Sequence, residues 1–182
     1  MQKLLEWTLK TIRQEDSDFS WMEEYRYEWS PLVEGAVSKI LQGQSVLIVT
    51  DDEFQWFGTY IASRINLLRN DRPLLPFYQL RAIFPNLPGF VSTQEMELLE
   101  DMMDISYPNG YFIWYIGSGD HPNTKLVYRS DENFLWTTDE AVQNSFSLRG
   151  NDTLLDIKLL QLFKLFNQTI DAALFGELEL LP

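Results

Sequence analysis

The sequence predicts an α/β protein: a mostly parallel central sheet with helices on both faces and one long C-terminal helix. Three observations predict it. Ser45–Thr50 (SVLIVT) is an unbroken apolar run, which suits a parallel strand buried on both faces better than a strand with one wet side. Further short apolar runs, Tyr111–Ile116 (YFIWYI) above all, alternate along the chain with segments of helical periodicity, the order expected of βα units. Asn151–Phe175 is the longest helical pattern in the chain.

In chain order, Leu4, Leu5, Leu9 and Ile12 recur at helical spacing and predict a short first helix. Gln14–Glu28 mixes acids with rings: Glu15, Asp16, Asp18, Phe19, Trp21, Glu23, Glu24, Tyr25 and Tyr27. Ser30-Pro31 reads as an N-cap followed by proline at the first helical position, opening a helix toward Leu41 that Gly43 ends. After the first strand come Asp51-Asp52-Glu53 and a helical segment, Phe54–Leu68. Pro73–Leu80 reads as a second strand despite its two prolines, Pro85–Gly89 as a loop, and Gln94–Met103 as a short acidic helix. Tyr111–Ile116 is the third strand, Lys125–Arg129 the fourth and Phe134–Thr137 the fifth. No repeat, low-complexity tract or linker divides the chain. A single domain over 1–182 is expected, with N-terminal helices in 1–43, the sheet core in 44–150, and the C-terminal helix and tail in 151–182.

Composition narrows the function. The 182 residues carry 27 Asp and Glu against 14 Lys and Arg, a net charge of −13. That balance argues against a direct grip on nucleic acid, which needs a basic surface to displace counterions from phosphates. At 45% hydrophobic the chain is too apolar to be disordered. It has no cysteine, which leans toward a reducing cytoplasm, and its single histidine, His121, precludes a histidine-rich metal centre. Met1–Arg13 carries Lys3, Glu6 and Lys10 within an amphipathic pattern, so no signal peptide is expected, and no apolar run approaches the ~20 residues that span a bilayer. The expectation is a cytoplasmic protein with no cofactor and no metal.

The sharpest signal for chemistry is Leu47–Glu53 (LIVTDDE): Asp51 and Asp52 close the first strand, where open α/β sheets bind ligands. A phosphorelay receiver also begins with an apolar strand and an acidic pair. However, Asp120 lies too far along to be its phospho-acceptor, and no lysine follows the fifth strand before Lys158. The competing reading is an acidic cap on the next helix, favoured by its dipole. His121 lies in the turn-rich run Gly117–Asn123 (GSGDHPN), where Ser118-Gly119 offers at most a weak backbone anion site. In the aromatic–acidic segment Phe19–Trp29, Trp21 and Tyr25 are candidates for a partner surface, together with Asp51 and Asp52, or else simply pack the N-terminal helices. On the last helix, Lys158, Gln161, Lys164, Gln168 and Asp171 form one narrow polar stripe. The remaining apolar surface exceeds the ~100° stripe that covers a sheet, which predicts a homo-oligomer with this helix at its interface.

Two N-terminal helices leading into Gly43–Val49 (GQSVLIV), with a helix directly after, resemble the opening of the sugar isomerase (SIS) domain. Asn66–Pro76 (NLLRNDRPLLP) resembles the stretch after that helix in the SIS-type proteins that bind the replication initiator DnaA. Leu154–Phe166 (LLDIKLLQLFKLF) is similar to the final helix of their epsilonproteobacterial branch, and Phe134-Leu135-Trp136 fits it. The resemblance implies a three-layer, Rossmann-like SIS fold and a noncatalytic, tetrameric adaptor. That adaptor would bind the DnaA N-terminal domain and promote assembly of the initiator at the chromosomal origin. In the DiaA branch a Leu-Phe pair near the C-terminus contributes to the DnaA-binding surface, and it matches Leu174-Phe175 here. One departure stands out. Phosphosugar-binding SIS domains have a Gly-rich, Ser-containing loop after the first strand, whereas Thr50–Gln55 (TDDEFQ) has no glycine and three carboxylates. Such a loop repels a phosphate, which counts against the alternative of a phosphosugar regulator or isomerase.

Overall fold

The computed structural model describes residues 2–15, 17–67, 71–87 and 92–180. The chain divides into two compact units, Gln42–Gly150 and a second made of Met1–Leu41 with Asn151–Pro182.

In Gln42–Gly150 a five-stranded sheet has the order β3-β2-β4-β5-β6 and every pairing is parallel. Its strands are β2 (Ser45–Thr50), β3 (Phe77–Gln79), β4 (Tyr111–Ser118), β5 (Phe134–Thr138) and β6 (Ser145–Leu148). The helices are α3 (Gln55–Arg64), α4 (Leu80–Ile83), α5 (Thr93–Ser106) and α6 (Thr124–Val127). All six β2 residues pair with β4, from Ser45 opposite Tyr111 to Thr50 opposite Ile116. Phe112 through Gly117 are buried without interruption. Successive side chains point to opposite faces, so both faces of β4 are covered, and this is why the run reads as continuous rather than alternating.

The two faces have different chemistry. Leu47, Val49, Ile113, Tyr115 and Leu135 share a core with Leu80 of α4 and Met96, Leu99 and Met103 of α5. The opposite face is aromatic. The Trp114 and Trp136 rings meet edge-on at 4.8 Å, Phe134 lies within 5.7 Å of both, and Phe57 of α3 stacks on Trp136 at 6.1 Å. Fully burying side chains of this size stabilises by roughly 1.5–3 kcal/mol each, which anchors α3 against the sheet.

Two strand expectations are corrected. Lys125–Arg129 is no strand: α6 forms there, with Tyr128 N–H donating to Thr124 O at 2.8 Å. Asn133 holds this turn to β4, accepting from Ile113 N–H at 2.8 Å and donating to Val127 O at 2.7 Å. Of Pro73–Leu80 only Phe77–Gln79 is strand, because Pro73 and Pro76 cannot donate to a ladder and the segment sits at the sheet edge. The sequence reading also passed over β6, whose Ser-Phe-Ser-Leu pattern lacks the continuous apolar run of an inner strand. Part of the Asn66–Pro76 resemblance and the end of the Pro85–Gly89 loop fall outside the described residues.

The second unit holds α1 (Leu4–Gln14), a 3-10 turn (Ser17–Phe19), α2 (Met22–Leu41) and α7 (Leu155–Leu174). A two-stranded parallel ladder pairs β1 (Gln2–Lys3) with β7 (Leu178–Glu179). α1 packs on both α2 and α7. Ser30-Pro31 does not open a helix: α2 starts at Met22 and Pro31 lies inside it. Met22, Trp29, Val33, Ala36, Val37 and Ile40 are buried along one face, and that packing outweighs the hydrogen bond proline cannot donate. Gly43, with φ +87, follows the helix end as expected.

Most of the apolar surface of α7 is covered within one chain. Leu155, Leu159, Leu162, Phe163, Leu165, Phe166, Ile170 and Ala172 are buried, while Leu160, Ala173 and Leu174 are half-buried and Ile157 is exposed, so these eight require no second copy to cover them. Among the described residues, no helix is long and apolar enough to cross a membrane.

Candidate functional site

The acidic pair after β2 splits into two unlike residues. Asp51 is only 5% exposed. Its Oδ1 accepts Phe54 N–H at 3.0 Å, at the start of α3, and its Oδ2 accepts Ser118 N–H at 2.8 Å, at the end of β4. It therefore holds the loop that enters α3 and ties together two neighbouring strand ends, at the point where the strand order reverses direction. The Asp52 side chain is 77% exposed; it accepts from Gln55 Nε2 at 2.8 Å and pairs with Arg81 at 3.1 Å. Asp51 is a buried tether in the loop, not a solvated cap on α3, and Asp52 is the outward-facing member of the pair.

Beside them lies a crevice of about 220 Å³ lined by Thr50, Gln55, Thr59, Gln79, Arg81 and Asn123, among others. Its polar groups are largely engaged with one another. Gln79 Nε2 donates to Thr59 Oγ1 at 3.1 Å, Asn123 Nδ2 donates to Thr50 O at 3.0 Å, and Arg81 faces Asp52. Among the described residues no group of three His, Asp or Glu could hold a metal ion. The Ser118 amide is already taken by Asp51, so the GSG run offers no open anion nest there. His121 Nδ1 accepts Asn123 N–H at 3.2 Å within the turn, a local structural role. Burial, and then the nearby Asp51 charge, push the Tyr115 phenol far up, and its hydroxyl donates to Ser118 O at 2.7 Å.

In the other unit the aromatic candidates come together on one face. Trp21 Nε1 donates to Gln161 Oε1 of α7 at 2.9 Å, and Lys158 Nζ sits 4.8 Å from the Trp21 ring centroid. Phe19 and Tyr25 flank Trp21 edge-on at 6.0 and 5.8 Å, with Tyr25 exposed. Glu15 accepts from Lys164 and Gln168. The polar stripe of α7 is thus where the segment around Glu15 and Trp21 attaches. Leu174, half-buried, is the last residue of α7. The next residue, Phe175, is 60% exposed, and Gly176 turns the chain away at φ +75, with Glu177 N–H returning to Ala172 O at 2.8 Å. The ring is presented at a fixed helix end.

The sequence reading missed the outward face of α5, where Leu98, Met102 and Ile105 are all exposed. Their spacing, set against the buried Met96, Leu99 and Met103, was the available signal.

The open all-parallel sheet, its reversal point and the long α7 define a Rossmann-like α/β protein, with carboxylates in the loop after its first long strand. A family model described as HobA, DNA replication regulator, matches residues 1–180. The DNA replication regulator protein HobA of Helicobacter pylori is 28% identical over 186 residues, covering 99% of this chain and all of that protein. The crystal structure of a HobA–DnaA (domain I-II) complex from Helicobacter pylori matches with a TM-score of 0.75 at 27% identity, over 99% of this chain and all of that one. A crystal structure of HobA from the same organism matches with a TM-score of 0.71 at 25% identity, over 98% of this chain and all of that one. The chain belongs to the HobA family of DNA replication regulators.

Proposed function

We propose that this protein is a noncatalytic cytoplasmic adaptor that binds the N-terminal domain of DnaA and promotes assembly of the initiator at the chromosomal origin. The observation that carries this reading is the end-to-end likeness to a HobA solved with DnaA domains I–II. The net charge of −13 supports it, since contact with origin DNA is then made through the partner. Leu174 and Phe175 supply apolar anchors, and Trp21, Tyr25 and the exposed Asp52 add candidate contacts that steer a partner. Asp51, buried and bonded, acts by shaping the loop that carries Asp52. A homo-oligomer, as a tetramer, multiplies these surfaces and raises the effective concentration of tethered DnaA chains. No cofactor takes part.

The test is capture of the DnaA N-terminal domain by wild type and by Leu174→Ala with Phe175→Ala. Weaker capture at unchanged gel-filtration size is expected; unchanged capture removes the pair from the site, and a smaller particle assigns it to packing. The crevice at the strand ends favours one second reading, a phosphosugar-binding SIS protein. Sugar phosphates at millimolar concentration are expected to leave the melting temperature unmoved, and a clear rise would favour that reading instead.

A further inference from the structure

The outward side of α5 carries two parallel lines of side chains. Leu98, Met102 and Ile105 are spaced by four and three residues and are 60%, 44% and 83% exposed. Glu97, Asp101 and Asp104 have the same spacing one residue earlier and are exposed as well. At 3.6 residues per turn the two lines lie side by side along the helix, opposite the buried Met96, Leu99 and Met103. α5 contains five carboxylates and no basic residue. Two of them have local work: Glu95 closes the capping box with Ser92, and Glu100 pairs with Arg129 at 2.7 Å. Of the other three, Asp104 meets the Tyr111 hydroxyl and Glu97 lies in the field of Arg129, yet all three are exposed, and Asp104 lies in the last turn, where a negative charge opposes the dipole.

The acidic line continues into a crevice of about 430 Å³ between α5 and the nearby strand, lined among others by Glu100, Asp104, Tyr111 and Glu132. Burial first, and then the Asp104 and Glu100 charges, push the Tyr111 phenol up to about 12. A second copy of α5 would bring carboxylates against carboxylates, so charge selects a partner of opposite sign over self-association.

We propose that this face of α5 docks a helix of the DnaA N-terminal domain bearing an apolar stripe beside Lys or Arg side chains. The apolar line seats the stripe, and Glu97, Asp101 and Asp104 meet the basic residues, one of which enters the crevice. The inference rests on the reading that DnaA is the partner, and adds to it a second contact besides Leu174 and Phe175.

The experiment titrates DnaA domains I–II into the full chain by calorimetry at two salt concentrations. It compares wild type, Leu98→Ser with Ile105→Ser, and Asp101→Asn with Asp104→Asn; all four side chains are exposed, so circular dichroism should be unchanged. The apolar variant is expected to bind about tenfold more weakly. The Asn variant should bind more weakly at low salt and lose part of the salt dependence. Wild-type affinity in both variants overturns the α5 site and leaves the DnaA reading standing. No binding by wild type overturns that reading itself. A smaller particle in gel filtration for the apolar variant overturns the proposal in favour of a self-contact.

Discussion

Asp51 Oδ2 accepts the backbone N–H of Ser118 at 2.8 Å, so one buried carboxylate ties the end of β2 to the end of β4. Asp51→Ala leaves two donors, Ser118 N–H and Phe54 N–H, without this acceptor. It should cost about 2–3 kcal/mol in urea unfolding, since each stranded buried donor costs ~1–3 kcal/mol. Asp52→Ala, at an exposed ion pair, should cost at most about 1 kcal/mol. Equal losses in the two variants would contradict the division of labour between them. Gly117 tests the same joint, because a Cβ there would lie 2.7 Å from both Asp51 Oδ2 and Tyr115 Oη. Gly117→Ala is expected to destabilise, and by less in the Asp51→Ala background, the coupling expected of residues in contact.

α2 carries two helix-weakening residues on its exposed side. Pro31 is exposed within the helix, and a Cβ added to Gly35 would meet nothing within 4 Å. Pro31→Ala restores a helical N–H and should stabilise by roughly 1–3 kcal/mol, after allowance for the freer unfolded chain. Gly35→Ala should add about 0.5–1 kcal/mol. Both are read as a higher urea midpoint at constant m-value. A lower midpoint for Pro31→Ala would mean that the ring makes packing contacts its exposure does not reveal.

The Glu15 carboxyl is held below its ordinary value chiefly by the hydrogen bond from Lys164 and further by Gln168, with burial opposing. Because the folded value is depressed, this contribution is fully present above the unfolded value of 4.5 and is lost as pH falls through the folded one. Glu15→Gln should therefore lower stability by a few tenths of a kcal/mol at neutral pH, given that Lys164 is 58% exposed. The gap between the proteins should close as the medium is acidified below 4.5, measured as melting temperature against pH. A gap that persists unchanged in acid would assign the effect to packing.

Much of the fold was legible because burial writes itself into composition. Ser45–Thr50 and Tyr111–Ile116 are covered on both faces, so nearly every side chain must be apolar whatever its neighbours. The same logic located α1, α3, α5 and α7. Legibility failed where the deciding contact was distant or local geometry was ambiguous. Lys125–Arg129 has the short apolar run and β-former content of a strand, yet Asn133 and a single helical turn claim it. Ser30-Pro31 has a helix-start pattern, but the buried face of α2 carries the helix through it. Of the candidate site residues, Phe175 is exposed and Leu174 half-buried. Asp51 and Asp52, adjacent and chemically alike, could not be told apart before the approach of Ser118 was known.

By itself the sequence determined a layered α/β chain with a parallel sheet, an acidic balance that argues against a direct grip on DNA, and a loop after the first long strand with three carboxylates and no glycine. These follow from side-chain chemistry summed over segments, which needs no coordinates. Only the tertiary structure decided which apolar residues remain for partners. Most of the greasy surface of α7, which pointed to an oligomer, is consumed within one chain, Ile157 excepted, while the less conspicuous Leu98, Met102, Ile105 and Phe175 are left in water. The physical reason is that periodicity specifies how much of a helix is apolar, whereas exposure depends on what the rest of the chain places against it.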